Sequence, residues 1–497
     1  MKSKSQNEIE TFQVIIVGAG IAGIAAAYQL GKDRPDSNYV VLEALDTFGG
    51  TWYTHNYPGI RSDSDLYTFG FKFKPWTKDT IASGEEILSY LGETVQENKI
   101  DKKIRYHHKI VSAEWCTESK SWELKVHKTD TDEELFFSCN FLMMCQGYYR
   151  HNQGFTPNWK DMEKFSGKIL HTEEWPNDLD YSDKKIIVIG SGATSATTIP
   201  AMAKKASHVT MLQRTPTFYR TSTVGTEELV DRLKKFSSDE KWIYGIVRQQ
   251  IILNQEIFIR RCIDEPEVVK EELISEVKKI LGPEYDVEKH FTPSYRPWQQ
   301  RIALTSNGEL FRCIAKGEVS VATDEINKFT ENGILLKSGS ELSADIVATA
   351  TGFNMNILGD IKFTIDGKKL NLNDTVTYRG MMFTTVPNLL WVFGYFRGAW
   401  TLRAELMADF LIRLLSHMEN KNYTKVSVGL RREDENMKLL PWISEEEFNP
   451  GYIARALPKL PKSGDKPEWV HNQNYWYERE VIPKIDLEGE ELSLIHI

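Results

Sequence analysis

Cysteine is scarce in this 497-residue chain: Cys116, Cys139, Cys145, Cys262 and Cys313 are odd in number and scattered. No CxxC pair occurs, so neither a disulfide framework nor a zinc ribbon fits, and reduced packing cysteines in a cytoplasmic protein are expected. A basic excess is missing too. Lys+Arg 61 against Asp+Glu 70 leaves a net charge of −9, with no long basic block, which argues against a dedicated nucleic-acid binder. Metal-ligand spacing is absent: His107-His108 has no Cys or Glu cluster around it, and no metal is expected. The polar start, Met1–Thr11, has no apolar core or small-residue cleavage site of a signal peptide. Phe12–Gly31 is uncharged and long enough to suggest a membrane span, but its glycines fall in a pattern with another explanation. No transmembrane segment is expected. With 41% hydrophobic and 26% charged residues the chain is an ordinary globular one, long enough for two or three domains.

That glycine pattern is Gly18-Ala19-Gly20-Ile21-Ala22-Gly23, set between the apolar run Val14–Val17 and a helix-like stretch Ile21–Leu30. The spacing is GxGxxG. Gly18 permits the tight turn, Gly20 lets a pyrophosphate approach the backbone, and Gly23 allows close helix–strand packing. A second apolar run, Tyr39–Leu42, ends in Glu43, 20 residues after Gly23, where a carboxylate can hold ribose hydroxyls. This unit predicts a site for an adenine dinucleotide with a free 2′-hydroxyl, FAD or NAD.

A second copy begins at Lys185. The run Ile186–Ile189 leads into Gly190-Ser191-Gly192-Ala193-Thr194-Ser195, with serine replacing the third glycine. The next apolar run, His208–Leu212, ends in Gln213-Arg214 and no acid. A cation there suits a 2′-phosphate, so this site is expected to take NADP(H). The fold class predicted is α/β, with two dinucleotide-binding (Rossmann-like) domains and a helical insertion over the charged, glycine-poor Thr226–Lys289, whose charges read as a solvated face. A disulfide reductase also pairs two such domains, but it needs a close redox cysteine pair. Oxygen is then the natural electron acceptor.

Longer motifs carry a resemblance. Phe165, Gly167, His171, Trp175 and Pro176 form FxGxxxHxxxWP; Gly49-Gly50-Thr51-Trp52 through Tyr57-Pro58-Gly59 to Asp63 forms GGxWxxxxYPGxxxD; Ala350-Thr351-Gly352 forms ATG. In these the chain resembles the type I Baeyer–Villiger monooxygenases over nearly its whole length, most of all their short ethionamide-monooxygenase-like subgroup. The resemblance implies FAD and NADPH as cofactors, molecular oxygen as co-substrate, and a small ketone converted to an ester or lactone through a peroxide carried on the flavin. Sulfides or thioamides are implied as a second substrate class. It places an FAD-binding domain at 1–149 and 357–497, an NADP-binding domain at 150–222 and 300–356, and the helical insertion at 223–299. Two other readings stay open: a flavin N/S-oxygenase with little ketone activity, and a non-catalytic NADP(H)-sensing flavoprotein.

The same resemblance assigns roles. Arg301, in Pro297-Trp298-Gln299-Gln300-Arg301, aligns with the family's active-site arginine, whose charge stabilises the anionic peroxide and adduct. Gln300 stands where the family usually has lysine, which removes one phosphate contact. Asp63 is expected to hold the Arg301 guanidinium in place. Gly50, Thr51, Trp52, Tyr53, Tyr67 and Val111 are expected at the flavin. His171 and Trp175 lie in the linker motif and are read as a hinge.

Overall fold

A computed structural model of the chain describes residues 9–221 and 225–496. Residues 1–8 of the polar start, and position 222 at one expected boundary, lie outside the described residues. Two sheets organise the rest. In the first, the strand Glu10–Val17 lies between Tyr39–Leu42 and Glu133–Met144, parallel to both, with Ile15 level with Val40 on one side and Leu142 on the other. These runs are apolar on both faces because helices or further sheet cover each side. Beyond Tyr39–Leu42 lies the short strand Ile104–Arg105, parallel to it.

The strand Glu133–Met144 is longer than its apolar run Phe141–Met144, and it does two jobs. Its first half pairs antiparallel with Ser121–Lys128, which pairs in turn with His108–Cys116. Its second half is flanked by Glu10–Val17 and by the late strand Leu389–Trp391, parallel to both. The apolar run after Leu389 extends to Phe396, but the strand stops at Trp391 and the chain turns toward the site.

The second sheet is wholly parallel. Its order is Val319–Thr323, His208–Gln213, Lys185–Ile189, Ile346–Thr349, Lys168–His171. A two-stranded antiparallel strap, Tyr149–Gly154 against Phe353–Met355, runs between the sheets. The charged segment folds as helices Glu227–Lys234, Glu240–Asp264, Pro266–Leu281 and Val287–Phe291. Its charges are not all solvated. Arg248 is 4% exposed, donates to the carbonyls of Gly70 (2.6 Å) and Tyr67 (2.7 Å), and pairs with Glu405 at 3.1 Å. A long helix gives no local sign that one arginine on its buried face will find carbonyls from a distant turn.

The signature loop Tyr57–Asp63 locks the two halves together. Gly59 has φ +78°, and a Cβ there would lie 2.7 Å from Ala201 Cβ and 2.9 Å from the Thr197 carbonyl of the second-sheet helix Ala193–Ala203. Only glycine fits this turn against that helix. Next to it, Arg61 donates to Glu309 at 2.6 Å, on the second-sheet side.

The helix Trp400–Asn420 is fixed by a buried ion pair. Arg403 is fully buried and forms a fork with Glu478, at 2.8 and 3.1 Å, while its other N–H groups reach the carbonyls of Phe393 (2.8 Å), Gly380 (3.2 Å) and Arg379 (2.5 Å). Tyr395 donates to the same carboxylate at 2.5 Å. This network sets the short segment Phe396–Ala399 that enters the site. Removing one partner of a buried pair leaves an uncompensated charge. Glu478→Leu is therefore expected to cost about 3–5 kcal/mol, measured as a lower denaturant midpoint, with most of the loss recovered when Arg403→Met is added. An unchanged midpoint in the single variant would contradict this anchor.

Candidate active site

The first glycine turn is a cradle from which side chains are excluded on one side. A Cβ on Gly23 would lie 1.9 Å from the Gly18 carbonyl, and one on Gly18 (φ +99°) would lie 2.9 Å from the Cys145 carbonyl. Gly20 precedes the helix Ile21–Asp33, and its Cβ direction meets nothing nearer than Gly50 Cα at 3.8 Å. That open approach at a helix N-terminus fits a pyrophosphate. Glu43 is buried at the tip of its strand and accepts from Ala19 N (2.6 Å) and Leu45 N (2.9 Å), so it stands directly on the turn. Burial pushes its carboxyl above the usual range, and the backbone donors oppose that.

Gly49 and Gly50 both have positive φ, which brings the short helix Thr51–Thr54 against the cradle. Trp52 packs edge-on to Phe69 at 5.5 Å. Tyr53 is 40% exposed, and the neighbouring Asp46 carboxylate raises the pKa of its phenol. Tyr67 is buried and stacks on Tyr244 at 5.8 Å. Val111 sits at the bulge where His108–Cys116 shifts register against Ser121–Lys128, a device that re-aims backbone groups.

The second turn is built alike. Gly190 (φ +133°) abuts the Ala350 carbonyl, 2.4 Å from where its Cβ would be, which explains the ATG motif's place beside it. Gly192 faces open space, and Ala193 and Thr194 begin the helix. Ser191 meets Thr217 at 2.8 Å. The Ser195 hydroxyl is buried without a partner among the described residues. Gln213 is held by the His290 carbonyl (2.7 Å) and Thr323 (2.9 Å), which fixes the strand tip. Arg214, just beyond, is exposed and has no carboxylate partner among the described residues. These features fit a phosphorylated dinucleotide.

His171 accepts from Glu173 N at Nδ1 (3.1 Å), so Nε2 carries the proton toward the Gly352 carbonyl (3.1 Å). Burial lowers its pKa and keeps it neutral. The ring packs on Gly154, so it touches both strands of the strap. Glu173 also faces His55 at 3.5 Å, and with His151 these ligand-type atoms all lie within 4.8 Å of one another. Residues so far apart in sequence gave no sign of meeting. Trp175 is buried, and its carbonyl accepts from Asn56 at 3.0 Å.

Arg301 Nη2 donates to Asp63 Oδ2 at 3.2 Å, and each side chain is about one-third exposed, at 32% and 34%. Burial works against the Arg301 charge, but the Asp63 carboxylate beside it favours that charge, and the guanidinium is held well above its ordinary range. Tyr148 donates to Tyr149 at 2.8 Å and stacks on Trp400 at 4.9 Å. The pair opens onto a cavity of about 90 Å³ whose walls include Asp65, Trp298, Phe396 and Arg397. Gln300 is half-buried beside it, at the turn closed by the Pro297–Gln300 bridge. Trp298 has φ +61°, a conformation a bulky residue rarely adopts, and its indole N–H is buried without a partner among the described residues. Sequence reading did not assign Trp298, Tyr148, Tyr149 or Tyr452. The end of a buried parallel strand, where sites form in α/β sheets, was a signal for the first two tyrosines.

Gly23→Ala is expected to yield folded protein without flavin, read as loss of the yellow chromophore at unchanged circular dichroism, because no relaxation short of moving the turn accommodates a 1.9 Å contact. Full flavin occupancy in that variant would show that the cradle is not the binding turn.

A family profile for pyridine nucleotide-disulphide oxidoreductases matches residues 15–230. The cysteines here are all free, and Cys139 and Cys145 are buried, with thiols pushed up by burial. The chain is 43% identical over 484 residues to the FAD-containing monooxygenase EthA of Mycobacterium tuberculosis, covering 97% of each, and 40% identical over 487 residues to EthA of Mycolicibacterium smegmatis, covering 97% of this chain and 96% of that protein. Among solved structures it is similar to an oxidised steroid monooxygenase bound to NADP (TM-score 0.74, 19% identity, 98% of this chain and 100% of that chain). It is likewise similar to cyclohexanone monooxygenase from Rhodococcus sp. Phi1 bound to NADP⁺ (TM-score 0.75, 19% identity, 99% and 100%), so the α/β fold is the one these enzymes share. Carried by relatives that match it nearly end to end, the chain belongs to the family of FAD-containing monooxygenases.

Proposed function

We propose that the chain is an NADPH- and O₂-dependent Baeyer–Villiger monooxygenase that inserts one oxygen atom next to a ketone carbonyl, with sulfides or thioamides as a second substrate class. The balance is ketone, O₂, NADPH and a proton in; ester or lactone, water and NADP⁺ out. The observation that carries this reading is the Arg301–Asp63 pair on the wall of a cavity. When bound, FAD supplies the electron transfer from NADPH to oxygen.

The chain's own residues supply the rest. Gly18–Gly23 and Glu43 would hold the flavin dinucleotide; Gly190–Ser195 and Arg214 would hold NADP(H), with the guanidinium on the 2′-phosphate. Arg301 stays charged at every working pH and offers donors toward the cavity, where negative charge on oxygen must be stabilised before it attacks the carbonyl. Asp63 orients that guanidinium through a single N–H, so several N–H groups remain for the reacting oxygen. The Tyr148–Tyr149–Tyr452 group is held neutral by burial and supports Arg301 without adding charge. His171 is neutral and engaged on both nitrogens, which suits a strap coupling the two halves and leaves no free base.

The test is product analysis by mass spectrometry, with purified holoenzyme, NADPH, air, a panel of ketones and one sulfide. Wild-type protein is expected to give an ester one oxygen heavier than the ketone. Arg301→Ala is expected to lose about 10²–10³-fold of that rate, while NADPH oxidation continues. Sulfoxide alone would replace this reading with that of a sulfur oxygenase. NADPH consumption with no oxygenated product would leave an oxidase or a sensor.

A further inference from the structure

Positive charge gathers beside the cavity in excess of the acids that pair with it. Arg220 and Arg397 line the cavity together with Arg301. Arg296 stands next to Arg397, since both donate from Nη2 to the Glu447 carbonyl, at 3.2 and 2.6 Å. Arg301 has Asp63, and Arg261 has Glu272 at 2.6 Å; Arg220, Arg296 and Arg397 have no carboxylate within ion-pair distance among the described residues. Glu276, whose field reaches Arg220, accepts instead from the Thr221 hydroxyl at 2.8 Å. The Arg397 Nε–H is buried with no acceptor among the described residues. Two guanidiniums on one carbonyl repel each other, and burial disfavours the charged forms of both Arg220 and Arg397.

The acids on the wall are already engaged. Asp63 holds Arg301, and Asp65 caps Thr68 (2.8 Å) and accepts from Gln255 (2.9 Å). Arg220 is fixed in place over the Phe258 ring, 4.9 Å from its centre. The cavity also connects outward: Gln255, Ile259, Phe396, Arg397 and Gly398 line both it and a groove of about 1130 Å³ between the helix Glu240–Asp264 and the segment Leu440–Phe448. Arg397 thus stands at the throat. None of Gly190–Ser195, and not Arg214, lines this cavity, so the cradle for the second dinucleotide's phosphates lies elsewhere.

We infer that the site takes anionic substrates: molecules carrying a carboxylate, held by Arg397 and Arg220 at the throat while the group to be oxidised lies toward Arg301. A fork of guanidinium donors with unmet charge is the recognition chemistry for a carboxylate. The oxidised group rests on the ketone reading above; the anion site does not.

The experiment compares acids with their neutral esters on the FAD-loaded enzyme at saturating NADPH in air: levulinate against methyl levulinate, and methylthiopropionate against its methyl ester. The acid is expected to exceed the ester in kcat/KM by about tenfold or more. Arg397→Gln and Arg220→Gln are each expected to bring the ratio toward one by raising the KM for the acid. Equal or better use of the ester by the wild type would overturn the inference. So would a raised KM for NADPH with an unchanged acid-to-ester ratio, which would assign these arginines to a cofactor phosphate. If only the sulfur pair is oxygenated, the ketone reading fails and the sulfur acid-to-ester ratio decides the anion site. If none of the four is oxygenated, dissociation constants of acid and ester, read from the flavin absorbance of the oxidised holoenzyme, decide it alone.

Discussion

Arg301 and Asp63 are separated by 238 positions in the chain and meet at 3.2 Å. For the role proposed for it, the Arg301 guanidinium has to be held still and partly out of water. Much of the architecture serves that need. The loop carrying Asp63 is pressed against the second-sheet helix at Gly59, where no side chain fits. The turn carrying Arg301 bends through Trp298 in a left-handed conformation. Behind the pair stand three half-buried tyrosines, and above it comes Phe396–Ala399, set by the fully paired Arg403. Each contact joins segments from different parts of the chain, so the site exists only once both sheets have formed and docked.

The parts legible in the sequence were those with local causes. A glycine turn between a strand and a helix is dictated by sterics within six residues, and both turns were found where Gly18–Gly23 and Gly190–Ser195 stand. Glu43 was legible because its distance from Gly23 is fixed by one helix and one strand. Parallel strands buried on both faces appeared as plain apolar runs. What escaped had distant causes. The division of Glu133–Met144 between two kinds of pairing depends on which strands arrive beside it, and its polar first half shows no trace of that. Arg248 looks like any surface arginine of a helix until carbonyls from Tyr67 and Gly70 meet it. Trp298 betrays its strain only through its backbone angle, and His55, His151 and Glu173 converge from segments with no shared pattern.

Electrostatics ties the site together. The protein as a whole is acidic, with a net charge of −9, yet its central cavity is lined by arginines. Field lines of that sign inside an otherwise negative molecule draw anions to the cavity and hold negative charge that develops there. Asp63 offsets part of the charge at Arg301 and fixes its direction. The excess over the acids present is the feature that distinguishes this cavity from a purely apolar ketone pocket.

The central claim is that one atom of dioxygen ends up in the substrate and that Arg301 is needed for this. Turnover of a ketone under isotopically heavy dioxygen in ordinary water, with the ester examined by mass spectrometry, tests it most directly. One heavy oxygen atom per ester molecule is predicted, placed in the newly formed C–O–C linkage, with that product formed about 10²–10³-fold more slowly by Arg301→Ala. An ester carrying only solvent oxygen, or an undiminished rate of labelled product in the variant, would contradict the claim.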